Sequence, residues 1–114
     1  MRFTVSLCEN YMFQSLYRKA KSMVTPLVAV YIRRNRLGTN RLGITTSKKI
    51  GGAVQRNRAR RIIKEAYRLT EPGLAKGYDI VIVARKKAVY SKMWDVKKSL
   101  ERVFSDLALL SGKR

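Results

Sequence analysis

Apolar residues recur along this chain at two different spacings, and each spacing predicts one type of secondary structure. Three stretches show the i, i+3, i+4 repeat of an amphipathic helix. The first is predicted to begin after Asn10, which suits the N-cap position, and to run to about Lys21. The second follows Gly51-Gly52, continues to about Leu69 and stops near Thr70-Glu71-Pro72-Gly73, because proline cannot continue a helix. The third begins near Ser91, and its apolar side comprises Met93, Trp94, Val96, Leu100, Val103, Phe104 and Leu107.

Three other stretches have the patterns of β-strands. Leu27–Arg33 alternates, which places Tyr31 on the opposite face from the branched residues Val28, Val30 and Ile32. Arg41–Ser47 is predicted to be the next strand and to pair with the previous one as an antiparallel hairpin across a turn at residues 34–40. Tyr78–Ala84 is a nearly unbroken apolar run, which predicts a strand buried on both faces in the middle of a sheet.

The order of these elements is helix, two strands, helix, buried strand and helix. A chain of 114 residues, of which 46% are hydrophobic, can bury one modest core. No internal repeat, low-complexity segment or linker divides it. We therefore predict a single domain that spans residues 1–114.

The charge of the chain narrows the class of partner. It has 26 Lys and Arg against 7 Asp and Glu, a formal net charge of +19, and so strong a positive field favours nucleic acid or an anionic membrane. No apolar run approaches the roughly 20 residues needed to span a bilayer, and the N-terminus does not resemble a signal peptide. The single cysteine, Cys8, cannot form an intramolecular disulfide, so we expect a cytoplasmic protein with no membrane partner.

The stretch from Ser47 to Lys64 contains seven basic residues and no acidic one. At about 100° per residue, the helix that it enters has an apolar arc of Ala59, Ile62, Ile63, Ala66 and Leu69. The opposite arc comprises Asn57, Arg60, Arg61, Lys64 and Arg68. A solvated face is the simplest interpretation of this arc, but such a face normally mixes charges of both signs. Because like charges repel and the arginine fork suits phosphate, we predict contact with a nucleic acid.

The sequence excludes most catalytic arrangements. Histidine is absent, which removes the usual general base near neutral pH and any His/Cys metal site. The seven carboxylates are scattered, and no close pair of them suggests a site for two magnesium ions. If the protein belongs to an enzyme, we expect the catalytic groups to come from its partner.

One long motif resembles the signature of a known family. The residues from Ser47 to Arg61 follow the pattern Ser-Lys-Lys-Ile-Gly-x-Ala-Val-x-Arg-Asn-Arg-x-x-Arg, and Arg41-Leu42-Gly43-Ile44 precedes them. This spelling closely resembles the protein subunit of bacterial ribonuclease P, and the match covers about residues 41–68. The rest of the chain fits that family in length and in the order of its elements, with looser motifs.

The resemblance implies an α/β fold (an α+β sandwich) of order α-β-β-(β)-α-β-α, in which a roughly four-stranded mixed sheet packs against helices. It also implies that the β-α-β unit around the basic helix crosses over with a left hand. About 98% of such connections are right-handed, so the sequence pattern alone favours the opposite hand.

The resemblance further implies a role in tRNA processing. In this family a large RNA carries the catalytic chemistry and cleaves the 5′ leader from precursor tRNA as an endoribonuclease. The protein subunit binds that RNA, one protein to one RNA, and holds the leader in a cleft between the sheet and the first helix. No cofactor is expected on the protein alone, whereas the RNA-containing holoenzyme requires magnesium. The alternative is a small basic ribosomal protein or another structural RNA-binding protein.

Two sets of candidate residues follow. We call the first the RNA set, predicted to bind the catalytic RNA: Lys48, Lys49, Asn57, Arg58, Arg61 and Arg68. We call the second the leader set, predicted to line the groove for the precursor leader: Phe13, Tyr17, Tyr31, Arg33, Arg56, Arg60 and Lys64. The aromatic members have alternatives, since Phe13 and Tyr17 also suit a core and Tyr31 can simply cover the sheet. Members of the family often carry a basic run before the first helix, which residues 6–10 lack.

Overall fold

The apolar run Tyr78–Ala84 forms the central strand of a mixed β-sheet in the computed structural model of the protein, which describes residues 4–6 and 20–107. Within those ranges the sheet has five strands in the order β1-β4-β5-β3-β2. They are β1 (Thr4–Ser6), β2 (Lys21–Val24), β3 (Val28–Arg34), β4 (Asn40–Thr45) and β5 (Tyr78–Ala84). β4 runs parallel to β1 and β5, whereas β3 is antiparallel to β5 and β2. The mixed sheet and the central position of β5 are therefore confirmed.

The predicted hairpin of the two earlier strands is wrong. β5 lies between β3 and β4 and pairs with both of them, so these two strands do not pair with each other. The apolar character of β5 is the reason: Ile80, Val81 and Ile82 point to alternate faces and are all fully buried, which favours an interior position where the strand pairs along both of its edges. The loop between β3 and β4 therefore spans the width of one intervening strand.

Within residues 20–107, two α-helices cover one face of the sheet. The basic helix, α1, extends over Ala53–Thr70, and the final helix, α2, extends over Met93–Asp106, so both predicted helices are confirmed. α1 connects β4 to the parallel strand β5, and the hand of this crossover remains a prediction from the resemblance. Gly51, just before α1, has a φ of 140°, and a Cβ there would lie 2.9 Å from the Gln55 Cβ, so this position requires glycine.

The core lies between the helices and the sheet. Its fully buried side chains include Val28, Val30, Ile63, Ile80, Ile82, Leu100 and Phe104. Tyr67 of α1 packs edge-to-face on Phe104 of α2, with ring centroids 6.3 Å apart. Burial raises the pKa of the Tyr67 phenol to about 12, and its hydroxyl lies 2.9 Å from Thr4 Oγ1 of β1. This tyrosine therefore connects both helices to the edge of the sheet.

The exposure of Trp94 and the start of the chain differ from the predictions or lie outside the described residues. The helical repeat places Trp94 on the apolar side of the last helix, yet its side chain is 60% exposed. The predicted first helix, with Phe13 and Tyr17, falls on residues outside the described ranges. Its expected end at Lys21 is wrong, because Lys21 begins β2, whose four residues pair antiparallel with β3. The short segment Lys21–Val24 has no pattern of its own that predicts a strand, because its pairing along the sheet edge depends on the tertiary structure.

Candidate nucleic-acid interface

Basic residues collect at the end of the sheet where β4 and β5 finish. The two strands are parallel and paired, so the segments that follow them emerge side by side. β4 is followed by the 3₁₀ turn Lys48–Ile50, and β5 is followed by Arg85 and the 3₁₀ turn Lys86–Tyr90. Five exposed cations result, and we call them the basic end: Lys48, Lys49, Arg85, Lys86 and Lys87.

The sequence predictions assigned only the two lysines of this group to the site. A basic run of Arg85, Lys86 and Lys87 follows the most apolar strand in the sequence. No local pattern indicates that this run lies near Lys48 and Lys49. The parallel pairing of β4 with β5 brings the two runs together. Arg85 is held there by two hydrogen bonds, from its backbone N to Leu27 O (3.0 Å) and from Nη1 to Thr25 O (3.0 Å). Together with Val24, Thr25 and Pro26, the run lines a depression of about 460 Å³.

The outward surface of α1 carries the predicted polar arc. Asn57, Arg60, Arg61, Lys64 and Arg68 are exposed, whereas Ala59, Ile63, Ala66 and Tyr67 are fully buried on the opposite side. Shallow depressions of about 420 and 400 Å³ lie on this surface, and Arg61 lines both of them. The helix thus presents a row of cations to solvent from a rigid, well-packed backbone.

The two margins of α1 face different parts of the molecule. Arg60 Nη2 donates a hydrogen bond to Thr46 Oγ1 (2.9 Å), so this margin lies beside the end of β4. Arg58 Nε donates to Val89 O (2.8 Å), so the other margin lies beside the 86–90 turn. On a helix, positions 58 and 60 are about 200° apart, which is why two neighbouring arginines reach opposite sides. We call the side of α1 that carries Arg60 the β4 margin, and the side that carries Arg58 the turn margin.

One member of the RNA set already has a carboxylate partner. Arg68 forms a bidentate ion pair with Glu65 through Nε (2.9 Å) and Nη2 (2.6 Å), and both side chains are about half exposed. The hydrogen bond from Arg68 lowers the pKa of the Glu65 carboxyl. Glu65 therefore balances the charge of Arg68, and we expect Arg68 to attract a phosphate group less strongly than Arg61 does.

The face of the sheet away from the helices carries a buried carboxylate between two arginines. Asp79 is fully buried and accepts hydrogen bonds from Arg41 Nε and Nη2 (2.7 Å each), Asn35 Nδ2 (2.9 Å) and Arg33 Nη2 (3.3 Å). Burial by itself raises the pKa of the Asp79 carboxyl, but these donors outweigh burial and hold the pKa below its usual value. Because Asp79, Arg33 and Arg41 belong to β5, β3 and β4, the cluster links the three central strands.

Tyr31 lies on this same face, two residues from Arg33 on β3. Its half-buried ring packs with Ala20 and Val83 against the fully buried Val81. The prediction that Tyr31 points away from the core of branched residues is confirmed. We call this side of the sheet the open face, because no helix among the described residues covers it, in contrast to the face covered by α1 and α2.

The leader set is therefore divided between two surfaces. Tyr31 and Arg33 lie on the open face, whereas Arg56, Arg60 and Lys64 lie on α1 across the sheet, and Phe13 and Tyr17 fall outside the described residues. The two surfaces approach each other at the end of β4. There Thr45, paired with Val83, belongs to the open face, while the next residue, Thr46, contacts Arg60.

Two further properties bear on the type of site. In residues 4–6 and 20–107, no group of three or more His, Cys, Asp or Glu side chains is placed to hold a metal ion. A search of the same residues finds no helix both long and apolar enough to cross a membrane.

Known proteins are similar to this chain in sequence and in fold. A family model described as Ribonuclease P matches residues 1–108. The chain is 37% identical over 111 residues to the ribonuclease P protein component of Thermoanaerobacter pseudethanolicus, covering 97% of this chain and 96% of the relative. It is 42% identical over 93 residues to that of Clostridium botulinum strain Okra, covering 81% and 84% of the two chains.

Solved structures of RNase P proteins are similar to this chain in fold. The RNase P protein of Staphylococcus aureus superimposes with a TM-score of 0.81 at 31% identity, covering 92% of this chain and 96% of the other. The RNase P protein of Thermotoga maritima gives a TM-score of 0.72 at 31% identity, covering 79% and 86%.

Proposed function

Since the chain belongs to the ribonuclease P protein family, we propose that it binds the RNA subunit of ribonuclease P and, in that complex, the 5′ leader of precursor tRNA. The observation that carries the proposal is that the exposed cations of the basic end and of the outward side of α1 lie on elements that contact each other, since the 48–50 turn leads into α1 and the 86–90 turn packs against it. Such a surface gains affinity by releasing the counterions that surround RNA phosphates. The names of the relatives support this function over a ribosomal role.

The RNA subunit would occupy the larger cationic surface. Lys48, Lys49 and Arg61 are exposed, and a rigid backbone holds all three. Lys48 and Lys49 follow a strand, and the Ser47 Oγ accepts a hydrogen bond from the Lys49 backbone N (3.3 Å). Their ammonium groups offer point charges, while the guanidinium groups of α1 can bind phosphate through two parallel hydrogen bonds.

The precursor leader would lie on the open face. Tyr31 offers an aromatic face to an unpaired base, and Arg33 beside it adds a cation. Arg33 is oriented by its contact with Asp79 and keeps 30% of its side chain exposed. A leader strand that follows the open face past Thr45 would reach Arg60 and the β4 margin of α1. The division of the leader set between two surfaces then describes one continuous path.

The chemistry in this proposal belongs to the RNA and its magnesium ions. The protein has no histidine, and its seven carboxylates are spread along the sequence, so it offers no evident general base and no paired carboxylates for metal. Its contribution is to reduce the repulsion between two polyanions. In this proposal the protein works in the cytoplasm and one copy binds each RNA subunit.

A cleavage assay tests this assignment. We expect the purified protein without RNA to leave precursor tRNA intact at any magnesium concentration. Added to the RNA subunit, it should raise the cleavage rate most at low magnesium, where cationic side chains replace screening ions. The measurement is the initial rate against magnesium concentration, with and without protein. Cleavage by RNA-free protein that survives removal of contaminating nucleases would contradict the proposal.

Replacing Tyr31 by Ala tests the leader groove. We expect this variant to weaken binding of leader-bearing precursor to the holoenzyme by about 1–3 kcal/mol, the usual contribution of one stacked base. Affinity for mature tRNA should barely change, because it lacks the leader. Tyr31→Phe is the matched control, since it keeps the ring and should retain most of the affinity. Equal losses for precursor and mature tRNA in a folded Tyr31→Ala protein would rule out a leader contact at this residue.

A further inference from the structure

Two large aromatic side chains are exposed at the junction between the 86–90 turn and α2. Tyr90 is 77% exposed and Trp94 is 60% exposed, although the neighbouring Ala88 and Val89 are almost completely buried. The two rings are four residues apart, so at most about 14 Å of chain separates them. We call Tyr90 and Trp94 the aromatic platform. Large exposed apolar groups that lie close together mark interaction sites more often than isolated ones do, so two exposed rings on one short segment make this segment a candidate binding surface.

The backbone under this platform is fixed from several directions. Ser91 Oγ donates to Lys87 O (2.7 Å), and Lys92 O accepts the Asp95 and Val96 backbone N–H groups (3.0 and 3.3 Å). From α1, Arg58 Nε donates to Val89 O (2.8 Å), the carbonyl of the peptide bond that leads into Tyr90. The rings therefore extend from a rigid support, and binding to them would require little ordering of the backbone.

Cations surround the platform. The Lys97 Nζ lies 6.0 Å from the centre of the Trp94 ring and is also paired with Glu101 Oε2 (2.8 Å), whereas Lys87 and Lys92, which precede and follow Tyr90 in the sequence, are exposed. Residues 86–98 contain five lysines and one carboxylate, Asp95. The turn margin of α1 adjoins this segment, so the platform continues the surface proposed for the RNA subunit.

The combination of exposed aromatic rings and nearby cations favours one kind of partner. Aromatic rings beside cations suit a polyanion whose own flat faces are accessible, which describes unpaired nucleotides and excludes the interior of a duplex. A second copy of this chain is disfavoured, because each copy carries a net charge of +19. An anionic membrane also attracts aromatic and basic residues, and the experiment below distinguishes it from RNA.

We propose that Tyr90 and Trp94 form a stacking platform for unpaired bases of the ribonuclease P RNA, next to the phosphate contacts made by α1. The proposal rests on the proposed function and adds a site to it. The motif at residues 47–61 does not include these two residues.

The first test uses Trp94 as its own probe, because it is the only tryptophan in the chain. The full-length protein is titrated with ribonuclease P RNA, with a single-stranded oligouridylate and with vesicles containing phosphatidylglycerol. Stacking predicts that both RNAs quench the emission and protect it from acrylamide. Unchanged emission and accessibility on RNA binding would overturn the proposal. A blue shift with vesicles, combined with no response to RNA, would assign the platform to a membrane surface and also overturn it.

The second test measures affinity for the ribonuclease P RNA. Tyr90→Ala combined with Trp94→Ala should weaken binding by about tenfold or more, the scale of one lost stacking contact. The log–log salt slope should stay the same, because no phosphate contact is removed, whereas Arg61→Ala should lower it by about one. A fall in slope with the double variant would show a charge effect and count against stacking.

The matched control is Leu37→Ala. Leu37 is 56% exposed in the loop between β3 and β4, at the other end of the sheet, and its loss should leave RNA affinity unchanged. Wild-type protein that binds no ribonuclease P RNA would refute the proposed function and the platform together. Tight wild-type binding, with equal affinities for the folded double variant and Leu37→Ala, would refute the platform alone. If the double variant fails to fold, the wild-type fluorescence decides.

Discussion

Replacing Asp79 by Asn should lower the free energy of unfolding by about 3 kcal/mol, because it leaves two arginines against a neutral amide. Removing one partner of a buried ion pair typically costs about 3–5 kcal/mol. We expect the lower part of this range, since Arg33 and Arg41 keep 30% and 20% of their side chains exposed and can partly rehydrate. The measurement is urea-induced unfolding followed by circular dichroism.

The ion pair between Glu65 and Arg68 provides the control. It has a shorter contact (2.6 Å) than the Arg41–Asp79 pair (2.7 Å), but both of its side chains are about half exposed. Water and salt screen exposed ion pairs strongly, so Glu65→Gln should change stability very little. Similar losses in the two variants would show that the Asp79 cluster is not a buried, coupled unit.

The same carboxylate predicts a dependence of stability on pH. Its hydrogen bonds to Arg41, Asn35 and Arg33 hold the folded-state pKa of Asp79 below the unfolded value of about 3.9, despite the opposing effect of burial. A group with a lowered pKa contributes its full stabilisation above the unfolded pKa and loses it as the pH falls through the folded pKa. The difference in stability between wild type and Asp79→Asn should therefore be constant from neutral pH to about 5 and should narrow below about 4. Unfolding curves at a series of pH values check this.

Charge removal on the two margins of α1 should separate two binding events. We expect Arg58→Gln with Arg61→Gln to lower the log–log salt slope for assembly with the RNA subunit by about two. At physiological salt the affinity for that RNA should fall about hundredfold, since each lost charge-assisted contact is worth about 1.5 kcal/mol or more. Arg60→Gln with Lys64→Gln should leave assembly nearly unchanged and lower the slope for precursor capture by the assembled enzyme. Fluorescence anisotropy at four or more salt concentrations measures both equilibria.

The two double variants are matched in several respects. Each removes two positive charges from the same helix, and each removes one hydrogen bond that α1 makes to another element, either to Val89 O or to Thr46 Oγ1. Their effects on helix stability and on net charge are therefore comparable. If both variants weaken assembly alike and neither affects precursor capture, α1 has a single RNA-binding surface and the division into margins is wrong.

The sequence by itself determines those elements whose pattern is local. α1 begins after two glycines, ends at a proline and has a 3.6-residue repeat that separates Ala59, Ile63 and Ala66 from its cations. The nearly continuous apolar run of β5 predicts a position in the middle of the sheet, because a strand with one exposed face alternates apolar and polar residues. The family resemblance also rested on a contiguous motif, and the comparisons confirm it. In each case the information lay within about twenty neighbouring residues.

Only the tertiary structure decided which of these elements are neighbours. β3 and β4 follow each other in sequence, yet β5 is inserted between them and pairs with both, because a strand that is apolar on both faces is best buried in the interior of the sheet. That pairing places Arg85–Lys87 beside Lys48 and Lys49, and it brings Arg33 and Arg41 onto one carboxylate. Periodicity alone could not show that Trp94 faces solvent, since exposure depends on what packs against a helix as well as on its own repeat.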